Sequence, residues 1–177
     1  MKGMKSQEKK PAAVDDTVQL VTFQVGAEEY GLEIRCITEV VRPLKITSLP
    51  RMPQFIEGVV NLRGVIIPVV DLRKRFALSL SGEQPKKMRM VITKGAVPAP
   101  SGEGRDLLGL IVDSVREVIH VPRADIGRAP EAATGEHAEF LSGMGKVGDR
   151  LIILIDITKI LSQQERSALA EAGNAGY

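Results

Sequence analysis

The sequence predicts an all-β protein: two small barrels packed side by side, finished by a C-terminal helix. Three observations carry that prediction. Hydrophobic residues make up 44 % of the 177-residue chain and aromatic ones only 3 %. Val, Ile and Leu must therefore fill the core, and β-branched filling favours strands. The apolar stretches are short and bounded by Gly, Pro and Asp. Finally, one order of strands and turns occurs twice, each unit carrying roughly five strands in about 65 residues, and a sheet that small escapes open edges by closing into a barrel. A chain of this length buries about 70 % of its unfolded surface, enough for a core without staples.

Residues 1–16 mix Lys, Glu, Pro and Ala without periodicity and read as a disordered lead-in. Val18 to Val25 largely alternates apolar with polar and ends at Gly26, a strand and its turn. Tyr30 to Ile34 is the returning strand and Ile37 to Val41 the next. Pro43, Pro50 and Pro53 mark an irregular stretch that cannot be a central strand. Gly58 to Leu62 and Val65 to Val70 form a hairpin turning at Arg63-Gly64, and Asp71 caps a single helical turn ending at Phe76. The insert Val97 to Gly104 is rich in Pro and Gly and reads as a mobile loop. A helix over 157–172, broken near Ser162, sets Ile157, Ile160, Leu161 and Leu169 against a barrel.

The repeat emerges when Gly58–Phe76 is laid on Gly143–Leu161 without a gap, which pairs Asp71 with Asp156 and Lys74 with Lys159. Gly31–Pro43 lies on Gly109–Val121, pairing Glu39-Val40 with Glu117-Val118, and the strand ending at Gly26 matches the one ending at Gly95. The separations grow from 69 to 78 to 85 residues, as in a doubled unit whose loops have drifted. One domain over 17–172 is expected, its barrel units at about 17–85 and 86–156 and its helix at 157–172.

Composition closes off most chemistry. The single Cys36 excludes an internal disulfide framework and any multi-cysteine metal site, and it reads as a buried structural thiol. Only His120 and His137 remain to ligate through nitrogen; the first fits a structural histidine at a strand end, the second an exposed one. No metal or other cofactor is expected. Gly102-Glu103-Gly104 lacks the third glycine of a dinucleotide loop and precedes a strand. Asp71 and Asp156 could form an acid–base pair, but the repeat accounts for them as one cap per barrel. No catalytic residue is assigned. A net charge of +2 with so few aromatics argues against nucleic acid, the partner that a small-barrel protein would otherwise bind in a basic groove. No apolar run is long enough to enter a bilayer and no signal peptide stands out, so a cytoplasmic protein is expected.

Two residues stay open on chemistry alone. Arg63 is either the water-facing residue of an ordinary turn or a recognition arginine among exposed aliphatics. Glu39 either faces water or pairs with an arginine of a neighbouring strand.

At these positions the sequence resembles a family. Glu29-Tyr30-Gly31, Ile37-Thr38-Glu39-Val40, the run Phe55 to Arg73 (FIEGVVNLRGVIIPVVDLR) and Gly148-Asp149-Arg150 look like the CheW-type chemotaxis coupling proteins over Val18 to Leu169. The resemblance implies two five-stranded SH3-like barrels and a non-enzymatic adaptor. It implies two partners, the cytoplasmic tip of methyl-accepting chemoreceptors and the regulatory domain of the chemotaxis histidine kinase, with recruitment to membrane-bound receptor arrays. Receptor contact would fall on Ile37, Glu39, Gly58, Arg63 and Ile66, where a receptor helix lies in a groove. Kinase contact would fall on the loop bearing Arg128, Glu131 and Ala132; the family often has a large apolar residue where Ala132 stands. The length suits a separate adaptor, the alternative being a fragment of a larger coupling protein.

Overall fold

The computed structural model describes residues 16–78, 85–95, 106–128 and 139–174, without the side chains of 172–174. Residues 1–15, the Pro/Gly-rich insert and His137 lie outside the described residues. The strands are β1 (Thr17–Val25), β2 (Glu28–Glu33), β3 (Ile37–Val41), β4 (Ile56–Leu62), β5 (Val65–Asp71), β6 (Arg89–Thr93), β7 (Leu108–Val112), β8 (Ser114–Pro122), β9 (Ile126–Gly127), β10 (Leu141–Val147) and β11 (Arg150–Ile155). Two helices accompany them, the single turn α1 (Leu72–Arg75) and the C-terminal α2 (Gln163–Asn174).

The strands form two sheets, ordered β3-β6-β7-β5-β4 and β8-β1-β2-β11-β10-β9. All-β architecture with a C-terminal helix is therefore what the molecule has, but the two sheets are not five strands each: the second gains the two-residue β9. Nor do they divide the chain at residues 85 and 86. The five-stranded sheet is a continuous insert, 37–112, while the six-stranded sheet joins β1 and β2 to everything from β8 onward. The chain crosses between sheets after β2, through the tight turn Ile34–Cys36, and after β7, at Asp113. Alternation sets which face of a strand is apolar, not which strand it pairs with. The parallel pairing of β2 with β11 spans more than a hundred residues and had no local signal.

The repeat is reproduced in space. In the alignment β3, β6, β7, β5 and β4 match β8, β1, β2, β11 and β10, and these occupy the same places in their sheets. Register agrees as well: Val69 pairs with Gly109 and its counterpart Leu154 with Gly31. Both β4 and β10 carry an irregularity at the same step, between Ile56 and Gly58 and between Leu141 and Gly143. Asp71 and Asp156 each accept from the backbone N–H two residues on, at 2.9 and 3.0 Å, as helix-turn caps. Each also donates its own N–H to a phenylalanine carbonyl, Phe55 or Phe140, at 2.8 Å.

Three cores result. Val60, Ile67, Val69, Met90, Ile92 and Ile111 fill one sheet's concave side, and Val18, Leu20, Val121, Ile152 and Leu154 the other's. The third lies between the sheets and takes Ile157, Ile160, Leu161 and Leu169, the helical face foreseen from sequence. It also gathers the scarce aromatics into a column, Phe23–Tyr30–Phe76–Phe140, with centroids 6.2, 4.7 and 5.1 Å apart. Arg75 lies over Phe55 and Phe140 and donates to the Ile160 carbonyl at 2.9 Å, tying α1 to the C-terminal segment. The expected break at Ser162 is a capping box: Ser162 N–H donates to Glu165 at 2.8 Å, and Glu165 N–H donates to the Ser162 hydroxyl at 3.2 Å.

Candidate functional site

The β4–β5 hairpin turns on two left-handed residues, Arg63 at φ 52° and Gly64 at φ 86°. That is the pattern of a type I′ turn, whose twist matches the flanking strands. Asn61 secures it, its side-chain oxygen accepting from Gly64 N–H at 2.8 Å. Gly would adopt the first position at less cost than Arg because it has no Cβ to meet the backbone, and Asn because its short side chain can hydrogen-bond the local backbone. The guanidinium nevertheless stands at the tip, 71 % exposed, and forms an ion pair with Glu39 of β3.

This pair answers the question left open for Glu39, whose partner is the arginine at the hairpin tip, and it leaves Arg63 largely exposed at its turn. Glu39 belongs to one end strand of its sheet and Arg63 to the hairpin containing the other, so the sheet curls until its ends approach. Among the described residues no ladder joins β3 to β4; side chains, not backbone hydrogen bonds, bridge the gap. Exposed aliphatics flank both partners, Val40 after Glu39 and Val65 and Ile66 after Arg63. Val40 and Val65 were not singled out from sequence, where alternation alone marks a strand face without saying whether a neighbour covers it.

The remaining candidates separate. Ile66 is exposed beside Arg63, as a contact residue must be. Ile37 is half-buried and packs against the core between the sheets. Gly58 is buried at φ 142°, and a Cβ there would stand 2.0 Å from the Thr47 carbonyl oxygen. Its place is structural, for the missing side chain lets residues 47–48 cross close over β4, where Thr47 and Val59 exchange hydrogen bonds of 2.8 and 2.9 Å. Arg128 is exposed just after β9, while Glu131 and Ala132 lie outside the described residues.

A second charged cluster lies on the six-stranded sheet. Glu29 of β2 is buried and held by Arg150, whose Nε donates to it at 3.1 Å and which also pairs with Glu117. Arg116 approaches Glu29 at 3.5 Å. The hydrogen bonds from Arg150 hold the Glu29 carboxyl below its usual range, against the opposing effect of burial. Cys36 is half-buried, and desolvation pushes its thiol up, which suits the structural role read for it. His120 is exposed at 2.8 Å from the Gln19 amide. Among the described residues no three His, Cys, Asp or Glu side chains come together to hold a metal ion.

Comparison with known proteins agrees with this geometry. The model of the CheW-like domain matches residues 19–165. The chain is 36 % identical over 161 residues to the chemotaxis protein CheW of Treponema pallidum, covering 90 % of this chain and 92 % of that one. It is 35 % identical over 147 residues to CheW of Klebsiella aerogenes, covering 83 % of each. The solved structure of the scaffolding protein TtCheW from Thermoanaerobacter tengcongensis superposes with a TM-score of 0.71 at 37 % identity, over 84 % of this chain and 94 % of that one.

Proposed function

Because the chain belongs to the CheW-like family, and is thus a chemotaxis scaffold rather than an enzyme, we propose that it couples a chemoreceptor's cytoplasmic tip to the regulatory domain of the chemotaxis kinase. The receptor surface is the one around Glu39 and Arg63. The observation that carries this reading is the arginine itself: its side chain is kept at the exposed tip of a turn whose backbone disfavours it, among Val40, Val65 and Ile66.

Magnitudes divide the work between charge and aliphatic surface. An exposed ion pair contributes about 0–1 kcal/mol, so exchanging Glu39 for a partner's carboxylate adds little affinity but sets orientation and choice of partner. Covering the open parts of Val40, Val65 and Ile66 contributes about 1 kcal/mol each, in proportion to full burial of such side chains. An amphipathic helix with its aliphatic stripe on these residues satisfies both requirements. Gly58 and Ile37 act on this surface from beneath, by holding residues 47–48 and β3 in place. Arg128, with Glu131 and Ala132, is assigned to the kinase by the family resemblance. No described helix is long and apolar enough to cross a membrane, so attachment to a receptor array would come through the receptor.

Pull-down with receptor signalling fragments tests the assignment. Arg63→Glu and Glu39→Arg should each weaken capture while far-UV circular dichroism stays that of the wild type. Undiminished capture by both variants would place the receptor elsewhere.

A further inference from the structure

Charge is unevenly divided between the two sheets. Residues 37–112, which carry the five-stranded sheet, hold twelve Lys and Arg against six Asp and Glu, whereas the rest of the chain holds twelve against sixteen. The net charge of +2 conceals this local surplus, which favours an oppositely charged partner. Among the described residues the insert's own carboxylates are already engaged. Glu39, Glu57 and Asp71 pair with Arg63, Lys74 and Arg73, and Asp106 accepts from Gly95 N–H at 3.0 Å. Arg42, Lys45, Lys86, Lys87 and Arg89 are left without a carboxylate, all exposed except the half-buried Arg89.

Two of these cations stand side by side. The β3–β6 ladder ends with Val41 opposite Met90, and its next step sets Arg42 against Arg89. Residues directly opposite share a face, and alternation puts Val40, 40 % exposed, on that face as well. Like charges so placed repel. Arg42 makes no hydrogen bond or ion pair with any described residue, and Arg89 donates only to the neighbouring Met88 carbonyl, at 2.7 Å. The repeat shows that the fold does not require such a pair. At the same step of the other sheet His120 stands opposite Gln19, 2.8 Å from its amide.

We propose that Arg42 and Arg89 form a docking site for an acidic protein segment, with one carboxylate seated between the two guanidiniums and an aliphatic side chain beside it on Val40. Each guanidinium presents its donors in a planar fork suited to a carboxylate, and an anion between them replaces repulsion with attraction. Lys45, Lys86 and Lys87 flank the pair along the chain and draw an acidic partner in. Nucleic acid fits less well. No described aromatic side chain is exposed to stack on a base, and Val40 has nothing to meet in a phosphate backbone. The site adjoins the surface around Glu39 and Arg63 but does not rest on that surface's assignment to a receptor.

NMR titration of the isotope-labelled full chain with an amphipathic helical peptide of Leu and Glu tests this. Amide shifts should centre on residues 40–42 and 89–91, and affinity should fall as salt rises. Arg42→Glu combined with Arg89→Glu should weaken binding by about tenfold. Arg123→Glu combined with Lys146→Glu, exposed cations outside the insert that change the net charge equally, should leave it unchanged. Arg42→Gln should weaken binding and yet raise the melting temperature, since half of a repelling pair is gone. Equal weakening by the two double variants would reduce the effect to overall charge and overturn the site. Absence of binding, or a melting temperature lowered by Arg42→Gln, would overturn it too. A DNA duplex that binds more tightly than the peptide, and is lost in the same double variant, would overturn the acidic-segment assignment in favour of nucleic acid. The peptide carries nothing of a chemoreceptor, so its failure to bind would leave the reading of Glu39 and Arg63 standing.

Discussion

Gly58 offers a sharp test of how the site is built, because nothing about an ordinary surface glycine would make it irreplaceable. In Gly58→Ala the new methyl would sit 2.0 Å from the Thr47 carbonyl oxygen, 2.7 Å from its carbon and 2.9 Å from Ser48 Cα, all backbone atoms that no side-chain rotation can clear. Residues 47–48 must lift away, breaking the two hydrogen bonds between Thr47 and Val59. Those bonds are worth about 1 kcal/mol each, and an L residue at φ 142° adds roughly 1–3 kcal/mol of strain. The total is about 3–5 kcal/mol, and at 2–4 °C per kcal/mol for a domain of this size the melting temperature should fall by about 6–20 °C. Gly64→Ala is the control: its φ is also positive, at 86°, but nothing lies within 4 Å of its Cβ. It should lose about 1 kcal/mol, or roughly 2–4 °C. Differential scanning calorimetry of the two variants decides the matter. Equal melting temperatures would refute the close-approach argument and return Gly58 to the list of direct contacts.

Three further outcomes are expected. Arg63→Glu combined with Glu39→Arg should restore the ion pair and leave stability within about 1 kcal/mol of wild type in denaturant titration, yet receptor capture should stay low because the partner meets reversed charges. Because Glu29 has its folded pKa below the unfolded value of 4.5, its stabilisation is complete above that pH and is lost as pH falls through the folded value. Melting temperature should therefore drop more steeply on acidification below about pH 4.5 in wild type than in Glu29→Gln, and parallel curves would argue against the Arg150 clamp. Cys36, half-buried with a raised pKa, should react with a disulfide reagent at pH 8 more slowly in the folded than in the unfolded protein; equal rates would mean the thiol is open.

Much of the fold was legible because strands, turns and caps are local. Arg63-Gly64 marks its turn by backbone preference, and Asp71 and Asp156 mark the ends of equivalent strands. The repeat carried further still, assigning counterparts that later proved to share places and register. The division of the sheets was not legible, since it depends on β2 meeting β11 and β7 meeting β5, and parallel pairing leaves no trace in alternation. The column of four aromatic rings was hidden for a similar reason: Phe23 and Tyr30 face each other across the β1–β2 hairpin, but Phe76 and Phe140 come from distant segments that join them only between the sheets. At the site, the sequence named Glu39 and Arg63 but could not join them, because their contact requires the sheet to curl. Gly58 was named for contact, whereas a buried residue without a side chain can act on a partner only through the backbone it lets pass.

The coupling role is tested most directly by mixing the chain with a receptor tip fragment and the kinase regulatory domain and resolving the mixture by size-exclusion chromatography. The account predicts one peak containing all three with wild type, and with Arg63→Glu a peak holding only the chain and the kinase domain. A receptor fragment that elutes apart from the other two with wild type, or that stays with them in Arg63→Glu, would contradict it.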